Sequence, residues 1–212
     1  MKISRFIVNP FAENTYLLWD NECNEAIIID PGMCTPDECN TVKEFLSENN
    51  LTLKAVLLTH QHVDHIMGTG YLADIFNCDV YGHQDDVQLG EKADVQVRMF
   101  NLPYQVKPFK VTCPVKDNDK LSFCGETIIV LHTPGHSLGG VIYFLPQSGC
   151  AFTGDTIFQM SIGRTDLIGG NFDTLIDNIK SKVLTLPGET VLYPGHGDST
   201  TVENELRHNP FI

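Results

Sequence analysis

Three histidines and an aspartate fall within six positions, His60-Gln61-His62-Val63-Asp64-His65, directly behind a β-rich apolar run, Leu53–Leu58, and Thr59. The chain has only eight histidines in 212 residues, so chance is a poor explanation for the cluster. Alternate residues at the mouth of a strand project to a common side, so His60 and His62 can converge on one cation. Asp64 and His65, beyond the turn, can reach a second ion nearby. Imidazole and carboxylate are ligands for first-row metals, and a metal needs them placed in advance because ordering them is costly. The chain must therefore fold so that a strand end opens onto a fixed polar edge.

Three more residues of ligand type occupy the same context. His136 follows Thr133-Pro134-Gly135, Asp155 follows Thr153-Gly154, and His196 follows Pro194-Gly195, each behind a short apolar strand pattern. Glycine lets the backbone bend sharply and approach an ion without a Cβ in the way. Taken singly, a His or Asp at a strand end is usually just hydrogen-bonded. With the first cluster, these residues supply five imidazoles and two carboxylates, the number needed for two metals and a bridging oxygen.

The rest of the chain supplies a frame of strands and helices. Ile3–Val8, Thr15–Trp19 and Glu25–Ile29 read as a strand meander. Thr35-Pro36-Asp37-Glu38 combines an N-cap, a proline at the first helical position and a glutamate three residues after the cap, so residues 36–49 should form an amphipathic helix. Thr127–Leu131, Val141–Leu145, Cys150–Phe152 and Thr190–Tyr193 read as further strands, with a helix from about Phe172 to Leu184. Strands followed by a helix, twice, suggest two sheets packed face to face with helices outside. Between Asp86 and Asn118 the pattern is weak; Met99, Phe100, Leu102, Tyr104 and Phe109 suggest local packing or a subunit contact, with an aromatic lip over a pocket as the alternative. No linker, repeat or low-complexity tract interrupts residues 1–212, so one domain is expected.

The formal charge of −13 argues against nucleic acid as a partner, since phosphates need a Lys/Arg surface. Asn9, Pro10, Glu13 and Asn14 break the apolar N-terminus, which is unlike a signal peptide, and no aliphatic run is long enough for a bilayer. Seven cysteines, scattered and without a CxxC pair, form neither a zinc ribbon nor a disulfide framework. A soluble, cytoplasmic protein with no membrane partner is expected; its oligomeric state is not legible.

Thr59–His65 resembles the THxHxDH signature of metallo-β-lactamase-fold hydrolases, and the spacing to His136, Asp155 and His196 matches that superfamily over most of the chain. Asn14-Thr15-Tyr16, Ile29-Asp30-Pro31-Gly32, Gly154-Asp155-Thr156-Ile157-Phe158, Ser161–Asp166 and Asn209-Pro210-Phe211 resemble its glyoxalase-II-like branch in a short, single-domain form. The resemblance implies an α+β four-layer αββα sandwich of two mixed sheets. It also implies His60, His62 and His136 on a first metal, Asp64, His65 and His196 on a second, and Asp155 bridging them. Asp64 and Asp155 are the candidate catalytic carboxylates. Asp30 would support the ligand loop, and Arg164 would pair with Asp166 or face a substrate carboxylate. Only 16 residues follow His196, so the C-terminal helical region that grips glutathione in full-length glyoxalase II is expected to be missing.

Two cations about 3.5–4 Å apart can lower the pKa of a shared water from 15.7 toward about 7. The expected activity is therefore hydrolysis of a small-molecule thioester, hydroxyacylglutathione or a related acyl-thiol, by a metal-bridging hydroxide. Zinc is the first choice of metal, with iron or manganese as alternatives. Rival readings are a persulfide dioxygenase with one iron on His60, His136 and Asp155, lactone or β-lactam hydrolysis, and a non-catalytic metal-binding module. His83, His132 and His208 match no ligand position and are read as structural or surface residues.

Overall fold

The computed structural model describes residues Met1–Ile212. Strands β1 (Lys2–Val8), β2 (Glu13–Asp20), β3 (Glu25–Ile29), β4 (Thr52–Leu57), β5 (Asp79–His83) and β6 (Cys113–Val115) form the first sheet in that order. It is mixed: β1, β2 and β3 pair antiparallel, whereas β3 through β6 pair parallel. The second sheet contains β7 (Lys120–Phe123), β8 (Glu126–His132), β9 (Val141–Leu145) and β10 (Cys150–Gly154). The hairpin β11 (Ile157–Phe158) and β12 (Ser161–Ile162) stands apart, and β13 (Val191–Pro194) and β14 (Thr200–Thr201) complete the second sheet beside β10.

Side-chain alternation divides the core into three layers. Tyr16, Leu18, Ile27, Ile29 and Leu57 of the first sheet meet Ile128, Val130, Tyr143 and Phe152 of the second between the sheets. The opposite faces of the same strands are equally apolar. Leu17, Ile28 and Val56 pack beneath helices α1 (Pro36–Glu48), α2 (Val63–Ile66), α3 (Thr69–Phe76), α4 (Val87–Glu91) and α5 (Ala93–Met99), of which α1, α2, α3 and α5 contribute buried residues. Ile142, Ala151 and Leu192 pack beneath α6 (Phe172–Asn178), the π-helical turn Ile179–Val183 and α7 (Val202–His208). Burial on both faces explains why these strands read as continuous apolar runs rather than alternating ones. The result is the four-layer αββα sandwich, and no helix is long and apolar enough to cross a membrane.

The capping box of α1 forms as its sequence implies: Glu38 N–H donates to Thr35 Oγ1, and Thr35 N–H donates to Glu38. Two segments differ from expectation. The helix after Phe172 changes to a π-helical turn at Ile179, and the weakly patterned stretch after Asp86 contains α4 and α5.

Strand directions position the site. β4, β8, β10 and β13 all run toward one edge, where Tyr143 Oη donates to Leu58 O (2.9 Å), Val141 N–H to Thr59 O (2.8 Å) and Tyr16 Oη to Pro194 O (2.8 Å). Phe152 is buried between Tyr16 and Tyr193, with ring centroids 5.1 and 5.2 Å away. Phe152→Ala should therefore lower stability by about 3–5 kcal/mol, read as a reduced denaturant midpoint with unchanged m-value.

Candidate metal centre

Each strand of that edge hands a ligand-type residue to the same place. β4 continues through Leu58 and Thr59 into His60 and His62, while Asp64 and His65 lie on the one-turn helix α2. β8 leads to His136, β10 to Asp155 and β13 to His196. The turns are tight enough to need glycine. Gly154 has φ +47°, and a Cβ there would overlap Thr59 Oγ1; a Cβ on Gly195 would stand 2.5 Å from both Asp155 Oδ1 and His65 Cε1.

The inner ring atoms face one another. His62 Nδ1 lies 2.8 Å from His136 Nε2, which lies 3.2 Å from His60 Nε2. The ligand atoms of Asp64, His65 and His196 converge as a second group within 4.8 Å of one another. Asp155 touches both: Oδ1 is 3.4 Å from His65 Nε2, and Oδ2 is 3.6 Å from His136 Nε2 and 3.7 Å from His196 Nε2.

The outer ring atoms decide which inner atoms carry lone pairs. His136 Nδ1–H donates to Arg164 O (2.8 Å), and His196 Nδ1–H donates to Phe11 O (3.1 Å). His65 Nδ1–H donates to Asp30 Oδ2 (3.0 Å). Thr59 Oγ1 donates to Asp30 Oδ2 and accepts from His60 Nδ1–H at 3.1 Å. A neutral imidazole has one N–H, so His60 and His136 point Nε2 lone pairs at each other across 3.2 Å. Lone pairs so close repel unless a cation lies among them. His65 Nε2 and Asp155 Oδ1 are also buried without hydrogen-bond partners. Orphaned lone pairs and carboxylate oxygens facing inward fit a bound cation.

The electrostatics of the centre are uneven. Burial, then the neighbouring imidazoles, holds His60 well below the usual imidazole range, and burial with His136 lowers His62 to about 3. Against burial, which alone would lower it, the Asp155 and Asp64 carboxylates hold His65 well above that range. Asp155 is correspondingly held well below the usual carboxylate range by His65 despite its burial.

Every expected ligand thus reaches the centre. Asp30 sits behind it, with Oδ1 accepting from Thr59 N–H (2.7 Å) and Oδ2 from His65. The Arg164 fork closes on Asp166 through bonds of 2.7 and 2.8 Å, although Arg164 also borders the cleft above the centre. That cleft, about 380 Å³, is walled by Phe11, Phe100, Phe158, Ile162 and Leu167, so Phe100 belongs to the aromatic lip rather than to packing alone. His83 and His132 stack on each other 4.0 Å apart, away from the centre.

Three buried polar residues escaped the sequence reading. Asp86 accepts from Gln61 N–H (3.3 Å), Ser137 Oγ (2.7 Å) and Gly139 N–H (2.7 Å), tying two ligand loops together. Gln96 accepts from Val63 N–H and donates to Gln61 O, fixing the start of α2. Glu13 is fully buried 3.8 Å from His65 Nδ1, and burial raises its carboxyl well above the usual range. Asp86→Ala would strand three donors, at about 1–3 kcal/mol each if left unsatisfied. Its Tm should fall by roughly 6 °C or more, measured by calorimetry on metal-free protein.

The family model described as metallo-beta-lactamase superfamily matches residues 8–196. The protein named hydroxyacylglutathione hydrolase GloC of Haemophilus influenzae is 36% identical over 213 residues, covering 100% of this chain and 98% of that one. The crystal structure of the BLEG-1 B3 metallo-beta-lactamase has a TM-score of 0.87 at 34% identity, covering 99% of both chains. That of TTHA1623 in a di-iron-bound form has a TM-score of 0.87 at 35% identity, covering 99% of this chain and 100% of the other. This chain therefore belongs to the metallo-beta-lactamase superfamily, whose fold binds divalent metals.

Proposed function

We propose that the chain is a hydrolase that holds two divalent cations and cleaves thioesters of the glyoxalase II type, hydroxyacylglutathione or a related acyl-thiol. The observation that carries this reading is Asp155, a single carboxylate with one oxygen toward His65 and the other toward His136 and His196. In this reading His60, His62 and His136 hold one cation, Asp64, His65 and His196 hold the other, and Asp155 serves both. When bound, such a pair supplies activated water and positive charge for the oxyanion that develops on an acyl carbonyl. Zinc is the first choice, and iron or manganese also suits an N/O donor set.

The protein's own contribution is placement. Arg164 O, Phe11 O, Asp30 and Thr59 hold the outer nitrogens of His136, His196, His65 and His60, so these rings need no rotation to present their inner nitrogens as ligands. Asp64 and Asp155 face the cleft and are the candidates for positioning the attacking water and its proton. The aromatic wall excludes bulk water from the acyl group. A thiolate leaves with little acid help, because thiols already ionise near pH 8.5. The likeness to GloC supports a glutathione thioester, since that relative is matched over 98% of its own length and thus carries its name without a large added domain.

A mononuclear iron on His60, His136 and Asp155 would leave Asp64, His65 and His196 converging for no purpose. Metal analysis of protein purified without added metal, followed by a thioester panel assayed with and without oxygen, separates the readings. Two metals per chain and oxygen-independent thiol release are expected. Oxygen uptake with glutathione persulfide, or turnover of a β-lactam alone, would overturn the thioester assignment.

Asp155→Ala isolates the shared carboxylate. Two cations would face each other with less negative charge between them, so at least one should be lost. Thioester turnover should fall on the order of 100-fold or more, beyond the 10–100-fold typical when an outer partner is removed. The circular dichroism spectrum should be unchanged, because the sheets bury most of the apolar surface. Two tightly held metals and near-native turnover in this variant would refute the bridging role.

A further inference from the structure

α5 carries two apolar faces where one would suffice. Ala93 and Val97 point into the core, whereas Val95 and Met99, one turn apart, are 50% and 61% exposed. Ile168, in the loop before α6, is 83% exposed beside them. Together with Leu89, Phe100 and Leu167 they line an apolar groove. Leu138, 55% exposed, prolongs the apolar surface past Gly169. Isolated exposed apolar residues are ordinary, but a lined groove of them is costly in water and marks a binding surface.

The groove's position says what it binds. His62, Phe100 and Leu167 line both it and the cleft over the metal centre, so the two adjoin. A ligand whose reacting group sits at Asp155 would have this apolar groove next to it, across Phe100. The peptide arm of glutathione carries charges at both ends, whereas Lys92 is the one charged residue lining the groove.

We propose that this groove is a subsite for an apolar chain, so that the substrate class is thioesters bearing an aliphatic or aromatic chain of about four to eight carbons. The subsite rests on the thioester reading for its chemistry, but its existence is testable without turnover. Each methylene fully withdrawn from water can contribute up to roughly fourfold in affinity, so even partial burial of six should be measurable.

Calorimetric titration of the purified protein with S-ethyl through S-octyl thioethers of N-acetylcysteamine measures the subsite directly, because a thioether cannot be hydrolysed. The parallel kinetic series uses acetyl through octanoyl N-acetylcysteamine thioesters. Affinity and kcat/KM should rise by at least tenfold from the shortest to the longest chain. In Ile168→Asp and Met99→Asp, the long-to-short ratio should fall below threefold. A steep thioether series with no thioester turned over would uphold the groove and reject the thioesterase reading. A flat thioether series alongside efficient thioester turnover would reject the groove and uphold the reading. A flat series in a chain that elutes as a dimer, and that Ile168→Asp converts to monomer, would assign the surface to a second copy and overturn the subsite.

Discussion

The structure depends on forcing lone pairs together. Five imidazoles and two carboxylates meet at one sheet edge, with the Nε2 atoms of His60 and His136 facing each other at 3.2 Å. Free side chains would turn such atoms toward water, where each could be solvated. Here four of the five rings cannot turn, because carbonyls, Asp30 and Thr59 hold the outer nitrogens of His136, His196, His65 and His60, and the sheets hold the backbone behind them. Asp86 and Gln96 extend the same constraint to the loops, joining segments that neither sheet connects directly.

The two halves of the centre are electrically unlike. One contains His60 and His62, which burial holds well below the usual imidazole range; the other contains Asp64, near His196 and His65, with Asp155 between the halves. A cation in the first half would be bound by neutral donors alone until it shares Asp155. One in the second would find charge already compensated. The division follows from chain geometry: the residues at the strand mouth are histidines, and Asp64 enters from the first turn of α2.

Much of this was legible in the sequence because its signals are local. His60–His65 is a contiguous cluster, the Gly-containing turns before His136, Asp155 and His196 mark strand ends, and the α1 capping box announces its own boundary. The residues that escaped notice work at a distance. Asp86 meets Gln61, Ser137 and Gly139, which lie 25, 51 and 53 residues away, so nothing beside it betrays its task. α5 was obscured for a different reason. Its apolar residues occupy two faces, one for the core and one for the groove, and that blurs the single stripe by which a surface helix is recognised.

The spread of the ligands along the chain also sets an order of events. His136 approaches His60 across 76 intervening steps of sequence, and His196 is anchored to Phe11 across 185. Contacts of such separation form slowly and late, since loop-closure entropy must be overcome before they contribute. During synthesis the His60–His65 loop emerges well before the strand that delivers His196, and it then presents only part of a coordination sphere. The full set of seven side chains therefore comes together only once both sheets have docked, which makes the centre a product of the whole fold rather than of the local His60–His65 loop.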